Sequence, residues 1–177
     1  KQREQYKTIA ETTIKEFYEK DLSLTDINTI YNVENDIITE FEGVMFKGLP
    51  DRINLVDGKF RIFDYKTGRA KDEKEICLTT LEDDRLGGHE DYYIQMGLYK
   101  YFLEKTTGKK VETTTFVFPQ EFRKPCVVEY TDEDIEKILD KYRKAIKGIQ
   151  EQNFDPTPSK NSCAFCPYQN DLCVCNQ

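Results

Sequence analysis

The chain has little of several features that would assign it to a common class. It has no apolar run long enough to cross a bilayer and no signal-peptide pattern, which argues against a membrane or secreted protein. Its single histidine, His89, excludes a histidine-rich metal site and a Ser-His-Asp triad. Its formal net charge is −7, which argues against a protein that coats nucleic acid through general charge attraction.

The length and the cysteine pattern indicate the architecture. A chain of 177 residues with 38% hydrophobic residues predicts one domain with a sizeable core. Four of its six cysteines fall in the last fifteen residues, whereas a secreted disulfide protein would usually be smaller and spread them. The clustering indicates metal binding in a reducing compartment, so we expect a cytoplasmic protein.

Apolar periodicity gives an order of elements that suits an α/β domain. It predicts helices within the first twenty residues, at 90–104 and after Thr131, and strands at 37–47, 52–66, 113–118 and 126–130. This order predicts a mixed central β-sheet flanked by helices, followed by a Cys-rich tail. We expect the domain at residues 1–160 and the tail, at residues 161–177, packed on it.

The strongest chemical signal lies in the predicted hairpin of 52–66. Residues two apart in a strand share a face, so Asp64 and Lys66 are neighbours, and the twist of the hairpin could bring Asp51 close to them. Two carboxylates beside an amine can hold a divalent cation and activate a water. By itself, the Asp64–Lys66 pair could equally be an ordinary ion pair on an exposed strand.

The order of the motifs resembles a known family. Gly48-x-x-Asp51-Arg52-Ile53, Asp64-x-Lys66-Thr67-Gly68 and Gln95-x-x-x-Tyr99 together resemble the PD-(D/E)XK nuclease superfamily, in its RecB-like branch with AddB-like exonuclease domains. The resemblance implies a restriction-endonuclease-like core and Mg²⁺- or Mn²⁺-dependent hydrolysis of DNA. An exonuclease domain of a DNA repair or recombination helicase-nuclease is the expected function, with a helicase domain or subunit as partner.

The resemblance also implies roles for single residues. Asp51, Asp64, Lys66 and Gln95 would be catalytic, and the metal ligands would be Asp51, Asp64, the carbonyl of Tyr65 and an additional carboxylate at Glu34, with Glu40 or Glu42 as alternatives. Lys66 would orient the attacking water or neutralise the phosphate, and Gln95 would contact that water or Lys66. Tyr99 would approach the substrate backbone, and Arg69 is a candidate for a basic groove that binds the substrate.

The tail pattern is typical of soft metal sites. Cys163-x-x-Cys166 followed by Cys173 and Cys175 has ligand spacing for a [4Fe–4S] cluster or for Zn²⁺. The iron-sulfur subgroup of the family has three cysteines at this end and a fourth upstream of the nuclease motifs. This chain departs from that pattern because no cysteine precedes Cys77. The missing ligand could lie in a removed N-terminal portion, Cys175 could complete the set, or the cluster could be absent; the tail cysteines could also be free or disulfide-linked.

Two other functions remain open at this point. A catalytically silent nuclease fold could serve as a DNA-binding or scaffold module, although the intact set of Asp51, Asp64, Lys66 and Gln95 argues against it. A Zn²⁺-ribbon interaction protein would explain the tail but not the hairpin motif.

Overall fold

The computed structural model describes residues 2–21, 25–77, 90–120, 125–156, 158, 163–164, 166–168 and 173. Within them lie four α-helices and seven strands. Their bounds are α1 Gln2–Lys20, β1 Ile30–Val33, β2 Ile37–Phe41, β3 Val44–Gly48, β4 Arg52–Val56, β5 Lys59–Tyr65, α2 Glu73–Cys77, α3 Glu90–Thr107, β6 Val111–Val117, β7 Cys126–Val128 and α4 Asp132–Gln150, with a 3₁₀ turn at Ile27–Thr29 before β1.

Five strands form the main sheet, in the order β1-β4-β5-β6-β7. The pairing of β5 with β6 is parallel and the other pairings are antiparallel. A parallel pair needs a long crossover, which here contains α2 and α3. The mixed sheet predicted from the element order is therefore present.

The predicted hairpin of 52–66 is confirmed as β4 and β5. Asp57 and Gly58 form its turn with φ of 50° and 79°, the left-handed conformation that a tight two-residue turn requires. The single strand predicted at 37–47 is wrong. Glu42 and Gly43 have φ of 51° and 75°, and they fold this segment into the β2–β3 hairpin, a separate two-stranded sheet.

Helix α3 is the centre of the core. It packs against β2 and β3 on one side and against β5, β6 and α4 on the others. Its Met96 and Phe102 are buried with Phe116 of β6 and Ile138 of α4. The main sheet is thus fixed against the helix that carries Gln95 and Tyr99.

Helix α1 lies on the surface, as its charge-rich sequence predicted, and it has no buried residue. Its end is tied to the sheet through Phe17, whose ring packs edge-on against Tyr65 at 5.4 Å. The buried guanidinium of Arg52 lies over the Phe63 ring at 4.2 Å and 3.9 Å from a carboxylate oxygen of Asp21, just after α1. Across the described ranges, no helix is both long and apolar enough to span a membrane.

Candidate active site

Asp64 is the last residue but one of β5, and Lys66 directly follows the strand. Asp64 is 3% exposed, and its Oδ2 lies 2.8 Å from Nζ of Lys66. The backbone N–H of Lys66 donates to the carbonyl of Val117 at 2.9 Å, so the parallel pairing with β6 continues one residue beyond the strand. The lysine is therefore held by its backbone, and its amine is half-buried beside a buried carboxylate.

Asp51 meets this pair from the preceding strand. The register pairs Arg52 with Phe63, which places Asp51, one residue before β4, opposite Asp64. Its Oδ2 accepts a hydrogen bond of 2.6 Å from the backbone N–H of Tyr65. The end of β5 thus orients the Asp51 carboxylate toward the same edge of the sheet.

The electrostatics of Asp64 suit a cation site. Burial raises the pKa of the Asp64 carboxyl, the hydrogen bond and charge of Lys66 lower it, and the negative charge of Asp51 raises it further, with a net upward shift. Lys66 therefore offsets only part of the cost of burying this charge next to a second carboxylate. Two oxygen-donor groups that repel each other at a partly buried edge match the hard ligands that Mg²⁺ and Mn²⁺ prefer.

Gln95 and Tyr99 lie on α3, where a helix was predicted, and Gln95 contacts Lys66. Nζ of Lys66 donates to Oε1 of Gln95 at 2.9 Å, and Nε2 of Gln95 donates to the Tyr99 hydroxyl at 3.0 Å. The structure therefore brings Asp51, Asp64, Lys66 and Gln95 together, as the motif order predicted.

The aromatic side chains around Lys66 were not predicted. Nζ of Lys66 lies 4.7 Å from the ring centre of Tyr92, and Nζ of Lys71 lies 4.3 Å from the same ring. Tyr92 in turn stacks on Phe116 of β6 at 5.4 Å. The electron-rich ring face stabilises two ammonium groups at one side of the site. The only sequence signal was the position of Tyr92 in the aromatic stripe of α3.

Glu34 and Arg69 are less firmly tied to this centre. The backbone N–H of Glu34 donates to the carbonyl of Asp51 at 3.0 Å, and its φ of 43° marks a tight turn, but its side chain is exposed. Arg69 is exposed and paired with Glu75 of α2. Over the described ranges, no group of three Asp, Glu, His or Cys side chains is arranged for a metal. The ligand role of Glu34 and the substrate role of Arg69 stay predictions.

The tail is described only at single positions. The backbone N–H of Cys166 donates to the carbonyl of Cys163 at 3.1 Å, so a turn brings these two residues together. Cys163, Cys166 and Cys173 are half-buried thiols outside any disulfide. Among described residues they form no metal-binding group, and Cys175 lies outside the described residues.

Comparison with known proteins places these features in a family context. Residues 2–175 match the sequence profile of the PD-(D/E)XK nuclease superfamily. The Gene 69 proteins of Mycobacterium phages D29 and L5 are each 26% identical to this chain over 135 and 132 residues, which is 72% of the chain in both cases. The chain spans only 42% and 39% of the lengths of these relatives.

A solved structure supports the architecture. The crystal structure of a candidate exonuclease from Eubacterium rectale superposes with a TM-score of 0.59 at 17% identity, over 94% of this chain and 60% of that one. At this identity the likeness shows the fold. The mixed sheet flanked by helices is thus a restriction-endonuclease-like core, as the sequence predicted.

Proposed function

Because this chain belongs to the PD-(D/E)XK nuclease superfamily, we propose that it is a metal-dependent deoxyribonuclease that hydrolyses phosphodiester bonds from DNA ends. The observation that carries this proposal is the meeting of Asp64, Lys66 and Gln95. Lys66 Nζ lies 2.8 Å from the Asp64 carboxylate and 2.9 Å from the Gln95 carbonyl oxygen, at the edge where Asp51 also lies.

The residues that would hold the metal follow from the donor set. The carboxylates of Asp51 and Asp64 would be the first two ligands, with the carbonyl of Tyr65 and the carboxylate of Glu34 as further oxygens. Mg²⁺ keeps several waters in its coordination shell, so a pair of carboxylates suffices. The chemistry that Mg²⁺ or Mn²⁺ supplies when bound is to lower the pKa of a water and to neutralise charge on the phosphate.

The other side chains act on the substrate and the water. Lys66 is a compact positive charge whose Nζ donates to Gln95 and lies 2.8 Å from a carboxylate oxygen of Asp64. Its charge would also act on a water or a phosphate oxygen at the same edge. We assign Lys66 the task of orienting the attacking water or stabilising the charge of the phosphate in the transition state. Arg69 would contact the backbone of the strand being cut.

Cleavage assays with a matched lysine control test the proposal. Labelled linear single- and double-stranded DNA is incubated with the chain and Mg²⁺ or Mn²⁺, or with EDTA. We expect cleavage only with metal, a loss of about 100-fold or more in Lys66→Ala, and wild-type rates in Lys144→Ala, an exposed lysine of α4. Thermal unfolding of both variants checks that the loss in Lys66→Ala does not come from misfolding.

Two further substrates decide between the remaining alternatives. Digestion of linear DNA without cleavage of closed circular DNA is the expected result for an exonuclease, whereas cutting of circles would establish an endonuclease. If wild type and Lys66→Ala bind DNA equally and neither cuts it under any metal condition, the chain is a silent DNA-binding module and the proposal is wrong.

The cellular setting is a separate proposal that rests on the RecB-like resemblance alone. We expect this domain to work in the cytoplasm in DNA repair or recombination, beside a helicase domain or subunit. Purification of the protein from its native source, followed by an ATP-dependent DNA-unwinding assay, tests it. An active nuclease without associated unwinding activity would remove the helicase part and leave the nuclease proposal intact.

The tail proposal can be checked independently. We propose that residues 161–177 form a small metal-binding unit on the domain of residues 1–160, with Cys163, Cys166, Cys173 and Cys175 holding a [4Fe–4S] cluster or Zn²⁺. The Cys163–Cys166 turn supports two ligands, and the described residues supply no complete set. Anaerobic purification followed by iron, sulfide and zinc analysis decides: stoichiometric iron and sulfide support a cluster, zinc supports a zinc site, and neither removes the proposal.

A further inference from the structure

The Tyr99 hydroxyl makes two hydrogen bonds to other residues of the chain. It accepts a hydrogen bond from Nε2 of Gln95 at 3.0 Å and donates one to the carbonyl of Leu49 at 3.2 Å. Leu49 lies two residues before Asp51, in the segment that leads into β4. The Tyr99 hydroxyl therefore links helix α3 to the segment that carries Asp51, a proposed metal ligand.

This hydroxyl sets the orientation of the Gln95 amide. A backbone carbonyl can only accept, so the Tyr99 proton must point at Leu49, and the hydroxyl must accept from Gln95. The amide then has its NH₂ toward Tyr99 and its oxygen toward Nζ of Lys66, 2.9 Å away. The flipped amide would place its NH₂ against the lysine ammonium, donor against donor, and its oxygen against a hydroxyl without a free proton.

We propose that Tyr99 is a positioning residue, whose hydroxyl holds Gln95 in the orientation that fixes the Lys66 amine. The inference rests on the proposed nuclease function and replaces the prediction that Tyr99 approaches the substrate backbone. Tyr99 acts through Gln95 and Lys66, and it has no separate contact with the DNA.

Gly48 makes this arrangement possible. A Cβ at Gly48 would lie 3.0 Å from both Cδ1 and Cε1 of the Tyr99 ring, closer than such contacts are normally found. The ring therefore lies close against the end of β3, one residue before the Leu49 carbonyl that accepts its hydroxyl. A side chain at position 48 would require the Tyr99 ring or the end of β3 to shift.

A double-mutant cycle separates positioning from substrate contact. Tyr99→Phe keeps the ring and removes both hydrogen bonds, so we expect kcat to fall roughly tenfold with KM for DNA little changed. In a Gln95→Ala background the hydroxyl has no amide to orient, and adding Tyr99→Phe should cost little more. Tyr101→Phe, a half-buried tyrosine of the same helix, should keep wild-type kinetics.

A measurement without substrate separates this inference from the nuclease proposal. In the ¹⁵N-labelled chain, Tyr99→Phe should shift the side-chain NH₂ signals of Gln95 and speed their exchange with water, whereas Tyr101→Phe should leave them in place. Gly48→Ala should reproduce the shift in weaker form. This readout stays informative even if the wild type cuts no DNA.

Three results would overturn the inference. The first is a rise in KM for Tyr99→Phe at unchanged kcat. The second is a loss of kcat in the Tyr99→Phe/Gln95→Ala double variant that equals the product of the two single losses. Both results indicate a separate contact of Tyr99 with DNA. The third is an unchanged set of Gln95 side-chain signals in Tyr99→Phe, which shows that the hydroxyl does not hold the amide.

Discussion

Asp64 shows at the level of one residue how the role of a proposed metal ligand conflicts with stability. Its carboxylate is buried, and the negative charge of Asp51 adds to the cost of burial, so its pKa is raised although Lys66 offsets part of the effect. A carboxyl group whose pKa rises on folding destabilises the folded state when it is ionised. At neutral pH the folded metal-free protein therefore bears an electrostatic cost, which a bound cation would relieve.

Asp64→Asn should consequently stabilise the metal-free protein while abolishing cleavage. We expect a gain of about 1 kcal/mol at neutral pH in EDTA, which is the usual size of a stabilising substitution. Because the cost requires the ionised carboxyl, the gain should shrink as the pH falls through the raised pKa of Asp64 toward 3.8, the ordinary value. Urea unfolding from pH 4 to 8 measures it.

The control for this prediction is Asp155→Asn, an exposed aspartate after α4 that should change stability little at any pH. Mg²⁺ or Mn²⁺ should raise the melting temperature of the wild type and of Asp155→Asn but not of Asp64→Asn. A loss of stability in metal-free Asp64→Asn would show that the Lys66 ion pair outweighs the cost of burial, contrary to our reasoning.

The sequence could predict that Asp51, Asp64, Lys66 and Gln95 lie close together, because the order and spacing of their motifs resemble the PD-(D/E)XK nuclease superfamily. Strand and helix periodicity alone would not have selected these four residues. The roles of Tyr92 and Gly48 could not be predicted, since they depend on which residues of other elements these two contact. A motif does not show which group the Tyr99 hydroxyl contacts, so its hydrogen bond to the Leu49 carbonyl could not be predicted.

At the level of elements, α4 is the helix whose start the sequence specifies best. Thr131 Oγ1 accepts from the backbone N–H of Asp134 at 3.1 Å, and the Asp134 carboxylate accepts from the backbone N–H of Thr131 at 2.9 Å. This reciprocal capping box satisfies two backbone donors that a helix start leaves unpaired. Burial pushes the pKa of Asp134 up, but the hydrogen bonds from the Thr131 side chain and backbone leave it lowered overall.

Asp134→Ala should therefore destabilise the domain in a pH-dependent way. We expect a loss of about 1 kcal/mol at neutral pH, the typical value of a cap. A lowered pKa means that the ionised carboxyl stabilises the fold above its unfolded pKa, near 3.8, and that this stability disappears as the pH falls through the lower folded value. Denaturant unfolding at pH 7 and at pH 3 compares the two conditions.

Asp132→Ala is the matched control, because Asp132 lies in the same first turn and feels the same helix dipole without closing the capping box. It should cost less than Asp134→Ala at pH 7. Equal losses in the two variants would assign the effect to the dipole and contradict the capping explanation.

Elements were predictable where a short-range signal sets them. The hairpin of 52–66 and the helix that begins after Thr131 both appear as predicted, and each is set locally, by the turn Asp57–Gly58 and by the cap Thr131. The β2–β3 hairpin was not predicted, and its reversal is shown by the positive φ values of Glu42 and Gly43 and by the inward-facing positions, which are odd-numbered in β2 and even-numbered in β3. The parallel pairing of β5 with β6 depends on the α2–α3 crossover and has no signature in either strand.

Over the whole molecule, the site exists because three layers meet at one point. The main sheet carries Asp51 just before β4 and Asp64 and Lys66 at the end of β5, and α3 places Gln95 in contact with Lys66. Helix α4 backs α3 on the far side, and Gly97 lies at this contact, two residues from Gln95. The position of Gln95 relative to Lys66 thus depends on how closely α3 and α4 can approach.

Gly97→Ala should test this dependence. A Cβ at Gly97 would lie far inside van der Waals contact with Cδ1 of Ile138 and 3.1 Å from Cε1 of Tyr130. Both helices are packed too densely to yield without cost. We expect a loss of about 2 kcal/mol, or roughly 6 °C in melting temperature, together with reduced cleavage as α3 shifts. Calorimetry and the DNA digestion assay measure the two effects.

Two variants make the test specific. Gly148→Ala, in α4, meets its first neighbouring atom only at 3.8 Å, and it should stabilise slightly because alanine favours a helix more than glycine does. Ile138→Val removes the methyl group that the new Cβ would strike, so it should restore part of the stability and cleavage of Gly97→Ala, although alone it leaves a small cavity and destabilises. Additive losses in the Gly97→Ala/Ile138→Val double variant would show that the α3–α4 contact does not set the position of Gln95, since the damage would then lie in the backbone of α3 itself.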